Sequence, residues 1–180
     1  NLTPIGLKNS ENLKFILEGE NIDTIFSSPF PRVLQTIKPY CDMKNMDKQV
    51  NVDYSLYETM YDKKYFTKDN YKIELTDSDN EYHLINPNYK SLITINDIKC
   101  PERRSDVKLR TTKLFNHIWN EYKNTERNIL IATHACTLNT IINKSDFDEI
   151  YPQGCLTKIY DNITTCYIPI NMKNKNEIKK

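Results

Sequence analysis

The sequence contains very little glycine and no excess of either charge. Only three of the 180 residues are glycine, and 25 Lys and Arg residues balance 24 Asp and Glu residues to a formal charge of +1. A nearly neutral chain has no overall field that would attract nucleic acid or an anionic membrane, so neither is expected as a partner. Any anion that the protein binds must be recognised by a local group of residues.

The sequence also lacks long apolar runs and paired cysteines. No stretch approaches the roughly 20 apolar residues of a membrane helix, and no basic segment followed by an apolar run opens the chain. The five cysteines are widely spaced and form no C-x-x-C pair, which argues against a disulfide scaffold and a zinc site. We therefore expect free thiols, no metal, no cofactor and a cytoplasmic location. Abundant Asn and Lys beside so little Gly suggests an AT-rich genome.

The length and the 38% hydrophobic content are those of one domain with one core, which we predict to span residues 1–180. Residues 61–100 are rich in Tyr, Asn, Asp and Lys and have no sustained period, so we interpret them as an insertion or lid. Residues 171–180 have the composition of a polar, solvated tail.

Short apolar runs alternate with amphipathic stretches. Thr3 as N-cap and Pro4 in the first turn predict a helix that ends near Glu18, before Gly19. Asp106 is the predicted N-cap of a long helix whose core face carries Val107, Leu114, Phe115, Ile118, Trp119 and Tyr122. Further helices are predicted from Pro31 toward Tyr40 and over 137–142, and strands at 23–27, 50–52, 128–133, 156–160 and 165–169.

This alternation predicts an α/β fold with a mostly parallel sheet. In such sheets ligands bind beyond the carboxyl ends of the strands. Two strand-to-helix junctions carry functional side chains there: Ser27 and Ser28 precede Arg32, and His134 follows the apolar run N-I-L-I-A-T. Taken singly, Arg32 could be a solvated arginine and His134 a hydrogen-bonded loop residue. Their placement at junctions of one sheet favours a shared site.

Four sequence blocks follow one another along the chain: L-T-P-I-G at 2–6, I-D-T-I-F-S-S-P-F-P-R-V-L-Q-T at 22–36, L-Y-E at 56–58 and I-L-I-A-T-H at 129–134. In order and spacing they resemble the histidine phosphatase (phosphoglycerate mutase-like) superfamily. The resemblance covers most of the chain outside 61–100 and implies a three-layer α/β/α sandwich.

The resemblance also implies roles for individual residues. In that family a phosphoryl group passes to a histidine in an R-H-G motif and is held by two arginines and a second histidine, while an acidic residue protonates the leaving group. By motif, Arg32 is the second arginine, Glu58 the proton donor and His134 the second histidine. Ser27 and Ala135 are implied as further contacts to the substrate phosphate.

The sequence departs from the family in lacking an R-H-G motif. The other histidines, His83 and His117, lie in the predicted insertion and in mid-helix, so the nucleophile is expected upstream of Asn1. The leading hypothesis is a phosphomonoester hydrolase or mutase, with phosphatase preferred, acting on a phosphorylated small molecule or protein. The alternative is a catalytically inactive member that binds a phosphate ligand or a protein. The oligomeric state stays open.

Several residues near the predicted site have two interpretations. Cys136 is either a packed thiol, which we favour, or a redox-sensitive one. Arg103 and Arg104 either extend an anion pocket or are solvated, the interpretation we favour. Five tyrosines in or beside the predicted insertion either line a substrate entrance or pack a lid against the body: Tyr57, Tyr61, Tyr65, Tyr71 and Tyr82.

Overall fold

The computed structural model describes residues 1–61, 79–141, 156–160 and 164–168. The four helices found there are α1 (Pro4–Glu18), α2 (Pro31–Lys44), α3 (Arg104–Tyr122) and α4 (Ala135–Ile141). The five strands are β1 (Ile22–Ser27), β2 (Val50–Val52), β3 (Asn128–Ala132), β4 (Leu156–Tyr160) and β5 (Thr164–Ile168). Single turns of 3-10 helix lie at Tyr54–Leu56, Tyr82–Leu84 and Ile95–Asp97. None of these helices has the length and apolar character required to cross a membrane.

Three strands form a parallel sheet in the order β2-β1-β3. Ser27 at the end of β1 is in register with Val52 on one side and Ala132 on the other, so all three strands end at the same edge. The strands β4 and β5 form a separate antiparallel pair. The loops that follow β1, β2 and β3 are therefore brought together.

Helices cover both faces of the parallel sheet. Ile25 packs with Leu17 and Leu34, from α1 and α2, on one face. The next residue, Phe26, packs with Leu114 of α3 on the opposite face. Successive strand side chains point to opposite faces, and both faces are buried. The predicted three-layer α/β/α architecture with a mostly parallel sheet is confirmed.

The first helix matches its local signals. The Thr3 hydroxyl accepts a hydrogen bond from the backbone of Gly6 at 3.1 Å, and Gly19 is the C-cap. The second helix continues past the predicted end at Tyr40 to Lys44, with Pro39 inside it. The buried side chains of Tyr40 and Cys41 hold this last turn against the core, so tertiary packing outweighs the cost of an internal proline.

The predictions for α3 need two corrections. Asp106 is not the N-cap: the helix begins at Arg104, and the Asp106 carboxylate accepts a hydrogen bond from the Arg103 backbone at 3.0 Å. Trp119 is 67% exposed and does not belong to the core, whereas Arg110 is buried. Leu114 and Ile118 pack with Phe26 of β1, while Trp119 lies on the solvent-exposed side of the helix.

The strand β3 is less buried than its apolar sequence predicts. Only Leu130 is buried, and its neighbours are half-exposed or, at Asn128, exposed. In the part of the chain that the structure describes, β3 pairs with β1 alone and so forms the sheet edge. Much of the predicted insertion lies outside the described residues. From 79 to 100 its described part contains two of the 3-10 turns and packs Leu84 and Ile98 into the core.

Candidate active site

The carboxyl edge of the sheet brings Ser28 and His134 together. The backbone N–H of Ser28 donates to the carbonyl of Ala132 at 2.9 Å, which extends the pairing of β1 with β3 by one residue. Beyond this bond the Ser28 hydroxyl lies 2.9 Å from Nε2 of His134, a separation of 106 residues in sequence. Parallel pairing of two strands that both end here is therefore the cause of the contact.

Arg32, Glu58 and His134 form one cluster at this edge. Nη2 of Arg32 and Nδ1 of His134 each lie 3.1 Å from the same carboxylate oxygen, Oε2 of Glu58. The other oxygen, Oε1, accepts from the backbone N–H of Thr59 at 3.0 Å. Arg32 comes from the first turn of α2 and Glu58 from the loop after Leu56. The three residues that the motif comparison selected are thus in direct contact.

The side chains of the cluster differ in their access to solvent. Arg32 is 40% exposed and Glu58 23%, whereas His134 is 4% exposed. The Phe30 ring contacts the His134 ring edge to face at 4.8 Å between centroids, and the guanidinium carbon of Arg32 lies 4.5 Å from the centroid of the same Phe30 ring. A ligand can therefore reach Arg32 from solvent, whereas His134 is held in place by contacts with buried neighbours.

Nδ1 of His134 lies 3.1 Å from the Glu58 carboxylate, which can only accept, and 3.2 Å from Nη2 of Arg32, which donates to the same carboxylate. We therefore assign the proton to Nδ1, as the donor to Glu58, and make Nε2 the acceptor from the Ser28 hydroxyl. Burial lowers the pKa of His134, with the charges of Arg32 and Arg110, more than the Glu58 carboxylate raises it. Burial alone would raise the pKa of Glu58, but His134, the Thr59 backbone and Arg32 together lower it. The resting cluster is therefore a carboxylate with a neutral histidine and a guanidinium.

The two other residues predicted to contact phosphate have different positions. Ser27 is fully buried and its hydroxyl bonds to the carbonyl of Ser28 at 3.0 Å. The Ser27 side chain therefore binds the backbone, and the Ser28 side chain is the one that contacts His134. Ala135 is the exposed first residue of α4, next to His134. Its backbone N–H belongs to a helical first turn, where such groups have no intrahelical partner, so its role stays a prediction.

Sequence reasoning missed a buried ion pair beside the cluster. Arg110 of α3 is 6% exposed and contacts Glu102, which is 1% exposed, at 2.7 Å. In the sequence, Glu102 adjoins Arg103 and Arg104 in a charged run, a pattern that is typical of a solvated surface. Both of those arginines are exposed, in agreement with the favoured interpretation. Glu102 precedes α3, so no helical period in the sequence connects it with Arg110.

The remaining histidines and Cys136 have other surroundings. His83 is an exposed residue of its 3-10 turn and lies 3.4 Å from Asp42, and His117 pairs with Glu121 one helical turn along α3. Cys136 is half-buried, and burial, followed by the charge of Glu58, raises the pKa of its thiol. A raised thiol pKa disfavours the reactive thiolate, which supports the interpretation of a packed thiol.

The tyrosines divide between core and surface. Tyr57 is fully buried, and its ring meets that of Phe30 at 4.5 Å. Tyr61 and Tyr82 are each 39% exposed, while Tyr65 and Tyr71 lie outside the described residues. Tyr57 thus packs against Phe30, which contacts His134, and does not line an entrance. Within the described residues, no group of three or more His, Cys, Asp or Glu side chains is arranged to hold a metal ion.

The fold and the site define an α/β sandwich protein with an Arg–Glu–His centre at the carboxyl edge of its sheet. Residues 1–149 match the sequence profile of the histidine phosphatase superfamily, branch 1. The chain belongs to this superfamily, as its motifs predicted. No curated protein matches it.

Solved structures that share the fold include two phosphatases. One is the ecdysone phosphate phosphatase of Bombix mori, solved with tungstate, at 18% identity and a TM-score of 0.61, with 92% of this chain covered. This chain spans only 64% of that protein. The other is a mycobacterial glucosyl-3-phosphoglycerate phosphatase, solved with VO3, at 17% identity and a TM-score of 0.52, with 78% of this chain and 67% of that one covered.

Proposed function

We propose that this chain carries the phosphate-binding and proton-donating part of a phosphomonoester hydrolase of the histidine phosphatase type. The observation that carries the proposal is that Arg32 and His134 contact the same carboxylate oxygen of Glu58. Nη2 of Arg32 and Nδ1 of His134 each lie 3.1 Å from it. A guanidinium and an imidazole N–H that already hold one oxyanion are suited to hold a phosphoryl group instead.

The charges in the cluster explain how Glu58 becomes a proton donor. In the resting site its carboxylate satisfies Arg32 and His134, which keeps its pKa low. An incoming phosphate dianion competes for the same two donors and places negative charge beside the carboxylate. Both effects raise the pKa of Glu58, since a lost cationic partner and a nearby like charge each favour the neutral form. Substrate binding itself thereby favours the protonated acid.

The proposed reaction has two steps. A histidine supplied by residues upstream of Asn1 attacks phosphorus, and the bond to the leaving oxygen breaks as Glu58 donates its proton to that oxygen. Water then attacks phosphorus of the phosphohistidine while Glu58 takes a proton from that water, the P–N bond breaks to return the histidine, and inorganic phosphate leaves. Arg32 and His134 stabilise the charge on the transferring oxygens in both steps. The substrate is a phosphorylated small molecule or protein.

Hydrolysis is preferred to a mutase reaction. The two structural neighbours are both named as phosphatases, which supports the choice without identifying the substrate.

A second candidate function is that of an inactive, phosphate-binding or protein-binding module. The observation in its favour is the placement of His83 and His117 in contacts with Asp42 and Glu121. Neither takes part in the cluster, so the 180 residues supply an anion site around a single histidine.

The two functions are separated by expressing the complete open reading frame and assaying it with an aryl phosphate. Release of phosphate, together with an acid-labile phosphoenzyme trapped during turnover, is the expected result. The Arg32→Ala variant should lose most of this activity, while Lys38→Ala, a change on the same helix at a residue that pairs with Asp42, should retain it. A well-folded protein that binds phosphate but neither turns over nor becomes phosphorylated would establish the inactive module instead.

A further inference from the structure

The loop that carries Glu58 has little regular structure of its own. A single 3-10 turn, Tyr54–Leu56, precedes it, and residues 57–61 belong to no helix or strand. Such a loop holds a side chain in place only if its backbone N–H and C=O groups find partners elsewhere. Those partners come from α3 and its N-terminal flank, and from the segment around His134.

Arg110 binds the backbone of this loop from α3. Its Nη1 donates to the carbonyl of Ser55 at 2.7 Å, and its Nη2 lies 3.4 Å from the carbonyl of Glu58 itself. The guanidinium is almost fully buried. It therefore connects the start of the loop to the residue that enters the cluster.

Glu102 orients Arg110 and binds the other end of the loop. Nε and Nη2 of Arg110 donate to the two carboxylate oxygens of Glu102 at 2.7 and 3.0 Å. The backbone N–H of Met60 donates to the same carboxylate at 3.2 Å, and the Met60 carbonyl accepts from the Glu102 backbone at 2.7 Å. The planar guanidinium of Arg110 thus binds Glu102 as a fork, through two N–H groups in a fixed direction. The single ammonium of lysine cannot reproduce this geometry.

Two threonines on either side of His134 bind the carbonyls between these points. Thr133 donates to Leu56 at 3.0 Å and Thr137 to Tyr57 at 2.9 Å. The carbonyls of residues 55–58 thus accept in succession from Arg110, Thr133, Thr137 and Arg110. The loop is tied to the same strand end that carries His134, so Glu58 and His134 have a common support.

We propose that Arg110 and Glu102 are positioning residues for Glu58: by binding the backbone on both sides of it, they place its carboxyl group against His134 and Arg32 for proton donation. The inference rests on the proposed function as far as proton donation is concerned. Net stability is a weak reason for this ion pair, because a buried pair is often no more stabilising than apolar residues of similar volume. A role in geometry accounts for its contacts with the loop.

The test in turnover is Arg110→Lys, which keeps the charge and loses the fork, beside the exposed control Arg127→Lys. Each is assayed, in the complete reading frame, with an aryl phosphate, whose leaving group needs little protonation, and an alkyl phosphate, whose leaving group needs it. Because a misplacement of ~1 Å can cost about 10²-fold, kcat/KM of Arg110→Lys, which reports the step in which the leaving group departs, should fall by roughly 10²-fold for the alkyl ester and far less for the aryl ester. Equal losses for both esters would overturn the inference.

A second measurement needs no turnover. The chain has three histidines, so the ring protons of His134 can be followed by NMR during a pH titration. Burial lowers the pKa of His134 and the Glu58 carboxylate partly offsets this, so displacing Glu58 should lower the pKa of His134 further. The ring-proton signals of His83 and His117, which lie outside the cluster, serve as the internal control.

The two measurements separate failure of this inference from failure of the proposed function. If the wild-type protein hydrolyses neither ester, the proposed function fails, and the titration still decides whether Arg110 places Glu58 at His134. An unchanged His134 titration in folded Arg110→Lys would refute that placement. Glu102→Gln, which keeps the shape and removes the charge, should produce the same shift and replaces Arg110→Lys if that variant does not fold.

Discussion

His134 and Glu58 are joined by a hydrogen bond in which Nδ1 of the buried ring lies 3.1 Å from Oε2 of the carboxylate. The same oxygen also holds Arg32. Under the proposed function, the carboxylate occupies the position on these two donors that a phosphate oxygen would take, so that a substrate competes with Glu58 for them.

Glu58→Gln is expected to bind inorganic phosphate more tightly than the wild type. The change removes a negative charge that competes for Arg32 and repels the dianion, and we expect a gain of about tenfold, or ~1.4 kcal/mol. Isothermal titration calorimetry measures this directly, with the exposed Glu11→Gln as the matched control. In turnover, the same variant should lose ~10²–10⁴-fold with an alkyl phosphate, since general acid catalysis is absent. Weaker phosphate binding would contradict the competition.

Arg32→Ala is expected to weaken phosphate binding. A charge-assisted hydrogen bond contributes about 1.5–3 kcal/mol, so the dissociation constant should rise at least tenfold. The effect on stability should stay below ~1 kcal/mol, because the pair with Glu58 is partly exposed to solvent. Calorimetry and thermal unfolding measure the two effects, and Lys38→Ala should alter neither. If phosphate bound equally well without Arg32, the site would be wrongly assigned.

Ser28→Ala should change the titration of His134. The Ser28 hydroxyl donates to Nε2 and so favours the neutral ring, which means that its loss should raise the pKa of His134. The free energy of unfolding should fall by ~0.5–1.5 kcal/mol. Ser27→Ala is the control, because Ser27 is also buried but bonds to a backbone carbonyl; it should lose stability without moving the His134 titration. The opposite pattern would mean that Ser27 contacts the ring.

Acid should destabilise the fold in two stages. Burial lowers the pKa of His134 below its usual 6.5, so below that pH the unfolded chain binds a proton that the folded chain does not. The pKa of Glu58 is likewise lowered from 4.5, so a second loss begins below that pH. Each group contributes up to ~1.4 kcal/mol per pH unit while only the unfolded state is protonated. Thermal unfolding followed against pH measures this, and His134→Gln should flatten the first stage; an identical pH profile in that variant would contradict the assignment.

Local signals were sufficient for much of the fold. The Thr3 cap, Pro4 in the first turn and the glycine after the helix predicted α1 over its full length, because capping depends on residues within one turn of each other. Apolar runs bounded by polar residues located β1 and β3. The cytoplasmic location, the lid role of 61–100 and the single-domain extent stay predictions.

Patterns along one element did not determine which of its residues are buried. The period of α3 placed Trp119 in the core and gave Arg110 no role, and the structure reverses both. A sequence period identifies an apolar face, but the width of that face depends on what packs against it. Here the backbone of the Glu58 loop covers Arg110. Burial of this charged side chain is favourable because its guanidinium has hydrogen-bond partners in that loop.

The sequence by itself determined the family, the helices and strands, and the positions of Arg32, Glu58 and His134 at the ends of elements, because motif order and capping are written in neighbouring residues. Only the tertiary structure decided that Ser28 rather than Ser27 faces His134, that one oxygen of Glu58 holds both other residues, and that Arg110 and Glu102 support its loop. Each of these is a contact between segments 26 to 106 residues apart, and such contacts depend on strand register and loop packing that no local pattern encodes.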